Sequence, residues 1–234
     1  GIDKINNFSK KLKIYQNPDE LMSISLGSAE TTLLKLTAAY GSFLNSGKYI
    51  EPTFIDRIQD SSGKTIFNSE KRICDGCKDI SFLGNSYPKI KDNFNNIFSP
   101  ETAYQMISIL EGTVIRGTAK GLKDLNLDLA GKTGTTNKNT DAWFVGFTSN
   151  MVVGVYVGHD EPKSLGKYET GAKTAMPIFK SFIKKTINKS NARPFKVAKN
   201  VKMMVVDAKT GEKVEYGSNE MIIEVFKKES NLKK

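Results

Sequence analysis

Apolar side chains recur at helical spacing in three segments of this 234-residue chain. The first follows Ser28, a candidate N-cap, and continues to Gly47. The second begins at Ser99, an N-cap residue that precedes proline at the first helical position, and ends at Gly117. The third spans 172–187. Its predicted inward-facing residues are Ala175, Ile178, Phe179, Phe182 and Ile183.

Three segments with strand-like patterns follow the second helix. Residues 127–134 alternate between apolar and polar side chains, 142–148 are apolar and aromatic, and 151–158 are rich in valine. The turn at Ser149 and Asn150 is short, so the last two segments are predicted to form a hairpin.

Smaller strand signals lie on both sides of this region. A hairpin is predicted around the turn at 60–63, with Phe54, Ile55 and Ile58 in its first strand. Residues 70–96 are polar and predict an irregular insertion. After Pro194, the segments Met203 to Val206 and Ile222 to Phe226 flank a turn and predict a last hairpin.

These elements together predict an α/β fold in which an antiparallel sheet is flanked by helices. The strands 132–136, 144–148 and 152–158 should be consecutive neighbours, and the 172–187 helix should pack on them. We divide the chain into a main domain over 1–187, with the insertion at about 70–96, and a small β-rich extension over 188–234.

The net charge and its distribution along the chain indicate which classes of partner the protein could bind. A net charge of +10 would suit nucleic acid, an anionic membrane surface or an anionic polymer. The charge is spread along the chain, however, and its densest runs lack the interleaved aromatic residues of a stacking platform. These runs are Lys10-Lys11, Lys184-Lys185, Lys227-Lys228 and Lys233-Lys234. Since a nucleic-acid-binding motif and a basic stripe are both lacking, no nucleic-acid partner is expected.

Two cysteines, Cys74 and Cys77, form a C-x-x-C pattern in the predicted insertion. A zinc site needs about four ligands, and the single histidine, His159, is far away in sequence. A redox pair would be expected at a strand–helix junction. The pattern therefore predicts a local disulfide or two inert thiols, with no metal and no cofactor.

The segment Gly131-Lys132-Thr133 fits two known patterns. The first is a phosphate-binding loop, but its leading glycine would fall at position 126, which is Asn126. Such a loop also opens a helix, whereas a turn and two strands are predicted here. The second pattern is the K-T-G strand of penicillin-recognising enzymes.

The chemistry of the K-T-G pattern suits these residues. Lys132 on an edge strand supplies a positive charge, and Gly134 lets a substrate backbone lie close because it has no side chain. A following threonine offers a hydroxyl to a carboxylate and a main-chain N–H to an oxyanion. A lone K-T-G sequence is common by chance, so the interpretation depends on the sequence segments around it.

Those surroundings resemble the transpeptidase domain of class A penicillin-binding proteins, from the start of the chain to about residue 187. The similar segments are 25–28, 38–40, 102–106, 110–114, 116–118, 131–136, 141–147 and 153–158, together with Gly47. The resemblance implies a fold like that of serine β-lactamases. It also implies peptidoglycan cross-linking by acyl transfer from a D-Ala-D-Ala stem peptide to a serine, and acylation of that serine by β-lactams.

The resemblance assigns roles to four residues. Lys132 is expected to be the catalytic cation of the site, and Thr133 and Thr135 to bind the substrate's terminal carboxylate. The N–H of Thr135 is expected to form half of the oxyanion hole, and Gly134 to keep the strand face open. The resemblance further implies a glycosyltransferase domain and a membrane anchor in the parent protein, at the extracytoplasmic, periplasmic face of the inner membrane.

Two motifs of the family, S-x-x-K and S-x-N, are not convincingly present. S-x-x-K matches begin at Ser61, Ser86, Ser164 and Ser181, of which three lie in turn-like segments and the fourth follows the K-T-G strand. No S-x-N sequence occurs. The nucleophile is therefore expected upstream, together with strands that pair with 152–158. The fold is then incomplete on its N-terminal side, and this chain alone is predicted to be inactive.

The remaining alternative is a non-catalytic binding module of the same fold. Trp143 and Phe144 are predicted core residues behind the site, Asp141 is predicted to fix a turn, and His159 to be a loop residue.

Overall fold

The computed structural model describes residues 1–70, 72–75, 77, 89–188, 190, 192–218 and 220–229. The helices are α1 (Ile2–Lys11), α2 (Leu33–Leu44), α3 (Pro100–Ile115) and α4 (Met176–Thr186). The strands are β1 (Arg57–Gln59), β2 (Thr65–Asn68), β3 (Ile73–Asp75), β4 (Lys89–Lys91), β5 (Ala130–Thr135), β6 (Asp141–Phe147), β7 (Val152–Gly158), β8 (Val201–Asp207) and β9 (Met221–Lys227).

The central sheet is antiparallel and has the strand order β5-β6-β7. Lys132 lies opposite Val145, and Val145 lies opposite Gly154. The predicted antiparallel sheet flanked by helices, with three consecutive neighbouring strands, is therefore confirmed. β5 begins at Ala130, three residues later than the strand-like segment 127–134 predicted. A 3-10 turn precedes it and ends at Asn126, which has a left-handed conformation with φ 50°.

Helix α4 packs on one face of this sheet and forms its main core. The Phe144 and Phe179 rings meet edge-on with centroids 4.9 Å apart, and both side chains are fully buried, as are Ala175 and Ile183. Residues four apart on a helix lie on one face, so Ala175, Phe179 and Ile183 form a single inward stripe. Burial of this stripe fixes α4 against the sheet.

The sequence prediction was wrong for two residues of α4. Ile178 is 51% exposed and Phe182 is 45% exposed. Each precedes a stripe residue by one position, which rotates it about 100° around the helix axis. The apolar face of α4 is thus wider than the surface that the described sheet covers.

A second core joins α3 to the segment after residue 188. Tyr104 and Ile107 of α3 pack with Phe195 and Val225. The Gln105 side-chain amide also donates to the main-chain carbonyl of Val225 at 3.0 Å. The β8–β9 hairpin predicted for the tail is confirmed, while the division of the chain at 187/188 stays a prediction.

The helix starts agree with the sequence at α3 and differ at α2. Ser99 caps α3 by accepting a hydrogen bond from the Thr102 N–H at 3.3 Å. The cap of α2 is Thr32, which accepts from the Lys35 N–H at 3.2 Å. Ser28, the predicted cap, instead donates its hydroxyl to Ser23 in the preceding turn.

Two small hairpins follow α2. The β1–β2 hairpin around the 60–63 turn is confirmed, although Phe54 and Ile55 precede its first strand. The prediction of an irregular insertion was partly wrong, since β3 and β4 pair antiparallel. Three-residue strands are too short for alternation to reveal them.

Cys74, in β3, and Cys77, just beyond it, form a disulfide, which was one of the two outcomes expected from the sequence. Residues 71, 76 and 78–88 of the insertion lie outside the described residues.

Candidate active site along strand β5

Strand β5 lies at the edge of the central sheet. Just beyond its end, the Thr136 N–H donates to the carbonyl of Asp141 on β6 at 3.2 Å. In an antiparallel pair, every second residue exchanges hydrogen bonds with its neighbour, and the main-chain groups between them face the other way. Counting back from Thr136, the main-chain groups of Thr133 and Thr135 face the outer edge.

Two protein groups already occupy part of that outer edge. The Gly131 carbonyl accepts a hydrogen bond from the Thr113 hydroxyl of α3 at 2.6 Å. The Thr133 carbonyl accepts from Nζ of Lys132 at 2.8 Å. In the part of the chain that the structure describes, no strand pairs with this edge. The N–H groups of Thr133 and Thr135 therefore face away from β6 and have no strand partner among the described residues.

Side chains of β5 alternate between the two faces of the sheet. Lys132 and Gly134 lie on one face, and Thr133 and Thr135 lie on the face that α4 covers. Lys132 is exposed, and its ammonium group reaches round to the outer edge, as its contact with the Thr133 carbonyl shows. Thr133 is half-buried and Thr135 is exposed, so neither is enclosed in the core.

The Thr135 hydroxyl is oriented by a residue that the sequence analysis did not identify. Its oxygen accepts a hydrogen bond from the Gly171 N–H at 3.1 Å. A hydroxyl that accepts in this way keeps its own proton for another partner. The donor proton of Thr135 is therefore available to a ligand.

Gly171 opens a π-helical turn, Gly171–Ala175, which leads into α4. A Cβ atom at position 171 would clash with the main-chain oxygens of Trp143 and Gly134. Only glycine lets this turn approach the strand pair so closely. No sequence motif marks Gly171, because the requirement comes from contacts with Trp143 and Gly134, which lie 28 and 37 positions earlier in the chain.

The far end of β5 is fixed by a polar network around Asp141. Burial opposes its charge, but hydrogen bonds from Tyr156, Thr140 and Thr136 outweigh burial and lower the pKa of Asp141. The Tyr156 hydroxyl donates to the carboxylate at 2.8 Å. This arrangement agrees with the predicted structural role of Asp141 at the turn.

The two aromatic residues predicted for the core separate on opposite faces of β6. Phe144 is fully buried, as predicted. Trp143 is only half-buried, so the core prediction was wrong for it. It lies opposite Gly134 and packs on Tyr156 with ring centroids 4.7 Å apart. Strand alternation accounts for the difference, since adjacent residues point to opposite faces. His159 is exposed beyond β7, as expected of a loop residue.

The S-x-x-K matches do not resemble a catalytic centre. Ser61 lies in the exposed β1–β2 turn, Ser164 lies in an exposed loop, and Ser181 lies on an exposed position of α4. Ser86 lies outside the described residues. So does a fifth match, Ser230 with Lys233, which the sequence analysis overlooked.

The described residues contain no group of three His, Cys, Asp or Glu side chains that could hold a metal ion. Among the same residues, no helix combines the length and apolar composition that crossing a bilayer requires.

Comparison with known proteins identifies the family. The profile described as "Penicillin binding protein transpeptidase domain" matches residues 2–184. Penicillin-binding protein 1A of Rickettsia bellii (strain RML369-C) is 40% identical over 229 residues, which cover 97% of this chain and 29% of that protein. Penicillin-binding protein 1A of Neisseria flavescens is 35% identical over 181 residues, covering 77% of this chain and 21% of that protein. The chain thus spans less than a third of the length of these curated relatives.

Solved structures agree with this assignment. The crystal structure of penicillin-binding protein 1A from Haemophilus influenzae has a TM-score of 0.81 and 30% identity, covering 100% of this chain and 38% of that chain. An imipenem acyl-enzyme complex of penicillin-binding protein A from M. tuberculosis has a TM-score of 0.56 and 16% identity, over 78% of this chain and 42% of that one. The second likeness concerns the fold alone. With its β5-β6-β7 sheet, its K-T-G edge strand and these matches, the chain belongs to the transpeptidase family of penicillin-binding proteins.

Proposed function

We propose that this chain is the C-terminal part of a serine D,D-transpeptidase that cross-links peptidoglycan stem peptides. It supplies the strand that holds the substrate, whereas the nucleophilic serine comes from the preceding part of the same polypeptide. The observation that carries the proposal is the open outer edge of β5, with the N–H of Thr135 facing outwards beside the Lys132 ammonium group.

An extended stem peptide fits this edge by strand addition. Main-chain groups on a sheet edge give affinity to such a peptide, while the side chains around them give specificity. The Thr135 hydroxyl retains a free proton because it accepts from Gly171. In the proposed complex this hydroxyl and that of Thr133 donate to the terminal carboxylate. Lys132 adds a positive charge nearby.

The reaction proceeds by acyl transfer in two steps. The serine oxygen attacks the carbonyl carbon of the penultimate D-alanine and loses its proton to a base. The carbonyl oxygen becomes an oxyanion, to which the Thr135 N–H donates. The peptide C–N bond then breaks, and D-alanine leaves with the proton on its amine. An amine of a neighbouring stem peptide next attacks the serine ester, forms the cross-link and returns a proton to the serine oxygen.

In this proposal the nucleophilic serine is not one of the residues of this chain. The sequence contains no S-x-N motif, and the S-x-x-K serines among the described residues occupy exposed turns, loops or helix positions. The chain covers 29% of the length of its Rickettsia bellii relative, which leaves ample sequence for the missing motifs. In the proposed parent, a glycosyltransferase domain and a membrane anchor hold the transpeptidase at the extracytoplasmic face of the inner membrane.

β-Lactams are the proposed inhibitors of the site. In a β-lactam the serine opens the ring by breaking its amide C–N bond, and the ring nitrogen takes up the proton. The carboxylate of the β-lactam would accept hydrogen bonds from the same threonine hydroxyls as the substrate carboxylate. Imipenem is bound as an acyl-enzyme in penicillin-binding protein A from M. tuberculosis, which shares this fold.

The role of Lys132 gives a direct test of the proposal. In a polypeptide that contains this chain and the preceding part of the protein, we expect Lys132→Ala to slow acylation by a fluorescent penicillin by about 10- to 100-fold, the scale of one lost charge interaction in a partly enclosed site. The matched control is Lys64→Ala in the exposed β1–β2 turn, which should leave the rate unchanged. An equal rate for Lys132→Ala and wild type would overturn the proposed role of Lys132, whereas a wild-type polypeptide that is not acylated would favour the non-catalytic alternative.

A further inference from the structure

The end of α3 and the loop that follows it contact β5 at Gly131 and Thr133, and the loop is held in place at several points. The Thr113 carbonyl accepts from the N–H groups of Gly117 and Ala119 at 3.1 and 3.0 Å. The hydroxyl of the same threonine bonds to the Gly131 carbonyl of β5. Ala119 is fully buried. Thr118 is thus fixed between two anchored neighbours, although its own side chain is exposed.

The Thr118 hydroxyl reaches the K-T-G strand. Its oxygen lies 2.9 Å from the hydroxyl oxygen of Thr133. Each hydroxyl carries one proton, so their mutual hydrogen bond uses one proton and leaves the other for a third group. Linked hydroxyls polarise one another, which strengthens the bond that the free proton makes to an anion.

The surroundings of this pair favour a negatively charged partner. The Lys132 ammonium group bonds to the Thr133 carbonyl on the same outer edge. Within the two facing segments, 113–119 and 130–135, the charged residues are Arg116, which is paired with Glu224, and Lys132. A hydroxyl that donates to a carboxylate forms a bond roughly twice as strong as one between neutral groups.

We propose that Thr118 is a specificity-determining residue of this site, and that it forms with Thr133 a two-hydroxyl cradle for the terminal carboxylate of the substrate. The inference rests on the proposed function, and it extends the carboxylate site from the K-T-G strand to the loop after α3. The cradle favours ligands with a free carboxylate over neutral analogues of the same shape.

Matched probes can separate this role from a structural one. The experiment uses the polypeptide that includes the preceding part of the protein, and it measures the second-order acylation rate with benzylpenicillin and with its methyl ester. We expect Thr118→Val to lower the rate with benzylpenicillin by about 10-fold, the loss of one hydrogen bond to a charged group. The rate with the ester, which is already lower than that with benzylpenicillin in the wild type, should change by less than about twofold. The ester has no carboxylate for the hydroxyl to recognise.

Two further variants complete the test. Thr118→Ser keeps the hydroxyl and should restore the rate with benzylpenicillin to within about threefold of wild type. Thr65→Val, on the exposed strand β2, should change neither rate.

The other outcomes would overturn either the inference alone or the proposed function as well. Equal slowing of both probes by Thr118→Val would show a structural role and overturn the inference, as would no slowing of either. A wild-type polypeptide that neither probe acylates would overturn the proposed function itself, and the inference with it.

Discussion

At the scale of single residues, the site depends on contacts that two glycine positions allow. A Cβ atom at Gly134 would lie 3.1 Å from Cβ of Trp143, and Gly171 brings the turn before α4 against the backbone of the strand. The second contact places the Gly171 N–H on the Thr135 hydroxyl. The orientation of the Thr135 hydroxyl, which is proposed to bind the ligand, thus depends on a residue that lies outside the recognised motif.

The substitution Gly171→Ala tests this dependence. The added methyl group would collide with main-chain oxygens, so the turn and β5 must separate. We expect the free energy of unfolding to fall by about 1–3 kcal/mol, as in other overpacked sites, and acylation in the longer polypeptide to slow. The control is Gly41→Ala in α2, where a Cβ meets no atom within 4 Å and helix propensity predicts a gain of about 1 kcal/mol. Equal effects of the two substitutions in urea denaturation would contradict the account.

Glu111 of α3 gives a prediction about pH. Burial raises the pKa of its carboxyl group to about 7 from 4.5, and the neighbouring Asp128 adds to the rise. Its contribution to stability is therefore fully present below about pH 4.5 and is lost as the pH rises through about 7. Because the side chain is only half-buried, solvent screening moderates the effect, and Glu111→Gln should stabilise the protein by about 1 kcal/mol at pH 8.

The same substitution should have little effect at pH 4.5, where the carboxyl group is protonated in the folded state. Urea denaturation at the two pH values measures the difference. A stability gain that is independent of pH would show that charge burial is not its cause.

At the scale of elements, α4 shows what periodicity can and cannot predict. Its helical spacing predicted the helix, its buried residues Phe179 and Ile183, and buried Ala175 in the turn before it, but Ile178 and Phe182 are exposed. The sequence gives the apolar face of a helix, whereas the neighbouring elements decide how much of that face is covered. The β5-β6-β7 order could be predicted because the strands are adjacent in the sequence and joined by short turns. The contacts of Thr118 and Gly171 with β5 could not, since neither follows from a local pattern.

Two phenylalanines on α4 provide a matched comparison. Phe179 is fully buried against Phe144, whereas Phe182 is 45% exposed. We expect Phe179→Ala to reduce the free energy of unfolding by about 3–5 kcal/mol through the cavity that it leaves. Phe182→Ala should cost less than about 1 kcal/mol, since it is largely a surface change. A similar cost for both, measured by urea denaturation, would mean that another element covers Phe182.

At the scale of the whole molecule, the sheet has a second open edge at β7. The Thr148 N–H donates to the Met151 carbonyl at 3.0 Å, so alternation turns the main-chain groups of residues 152, 154, 156 and 158 away from β6. No strand of the described residues pairs with them. Together with the exposed face of α4, this edge is where the proposed preceding segment would complete the fold.

An exposed, valine-rich edge strand promotes self-association. We therefore expect the isolated chain to elute as oligomers or aggregates in size-exclusion chromatography. The longer polypeptide should have a smaller tendency to self-associate, because its own strands would cover β7. An isolated chain that stays monomeric at high concentration would count against a missing partner for this edge.

We propose that this chain holds the substrate strand of a serine transpeptidase but not its nucleophile. Intact-mass spectrometry after incubation with benzylpenicillin tests it most directly, on the isolated chain and on the polypeptide extended towards the N-terminus. We expect no covalent adduct on the isolated chain and one penicilloyl group per molecule of the extended polypeptide. A stoichiometric adduct on Ser181, or on any other serine of these 234 residues, would contradict it.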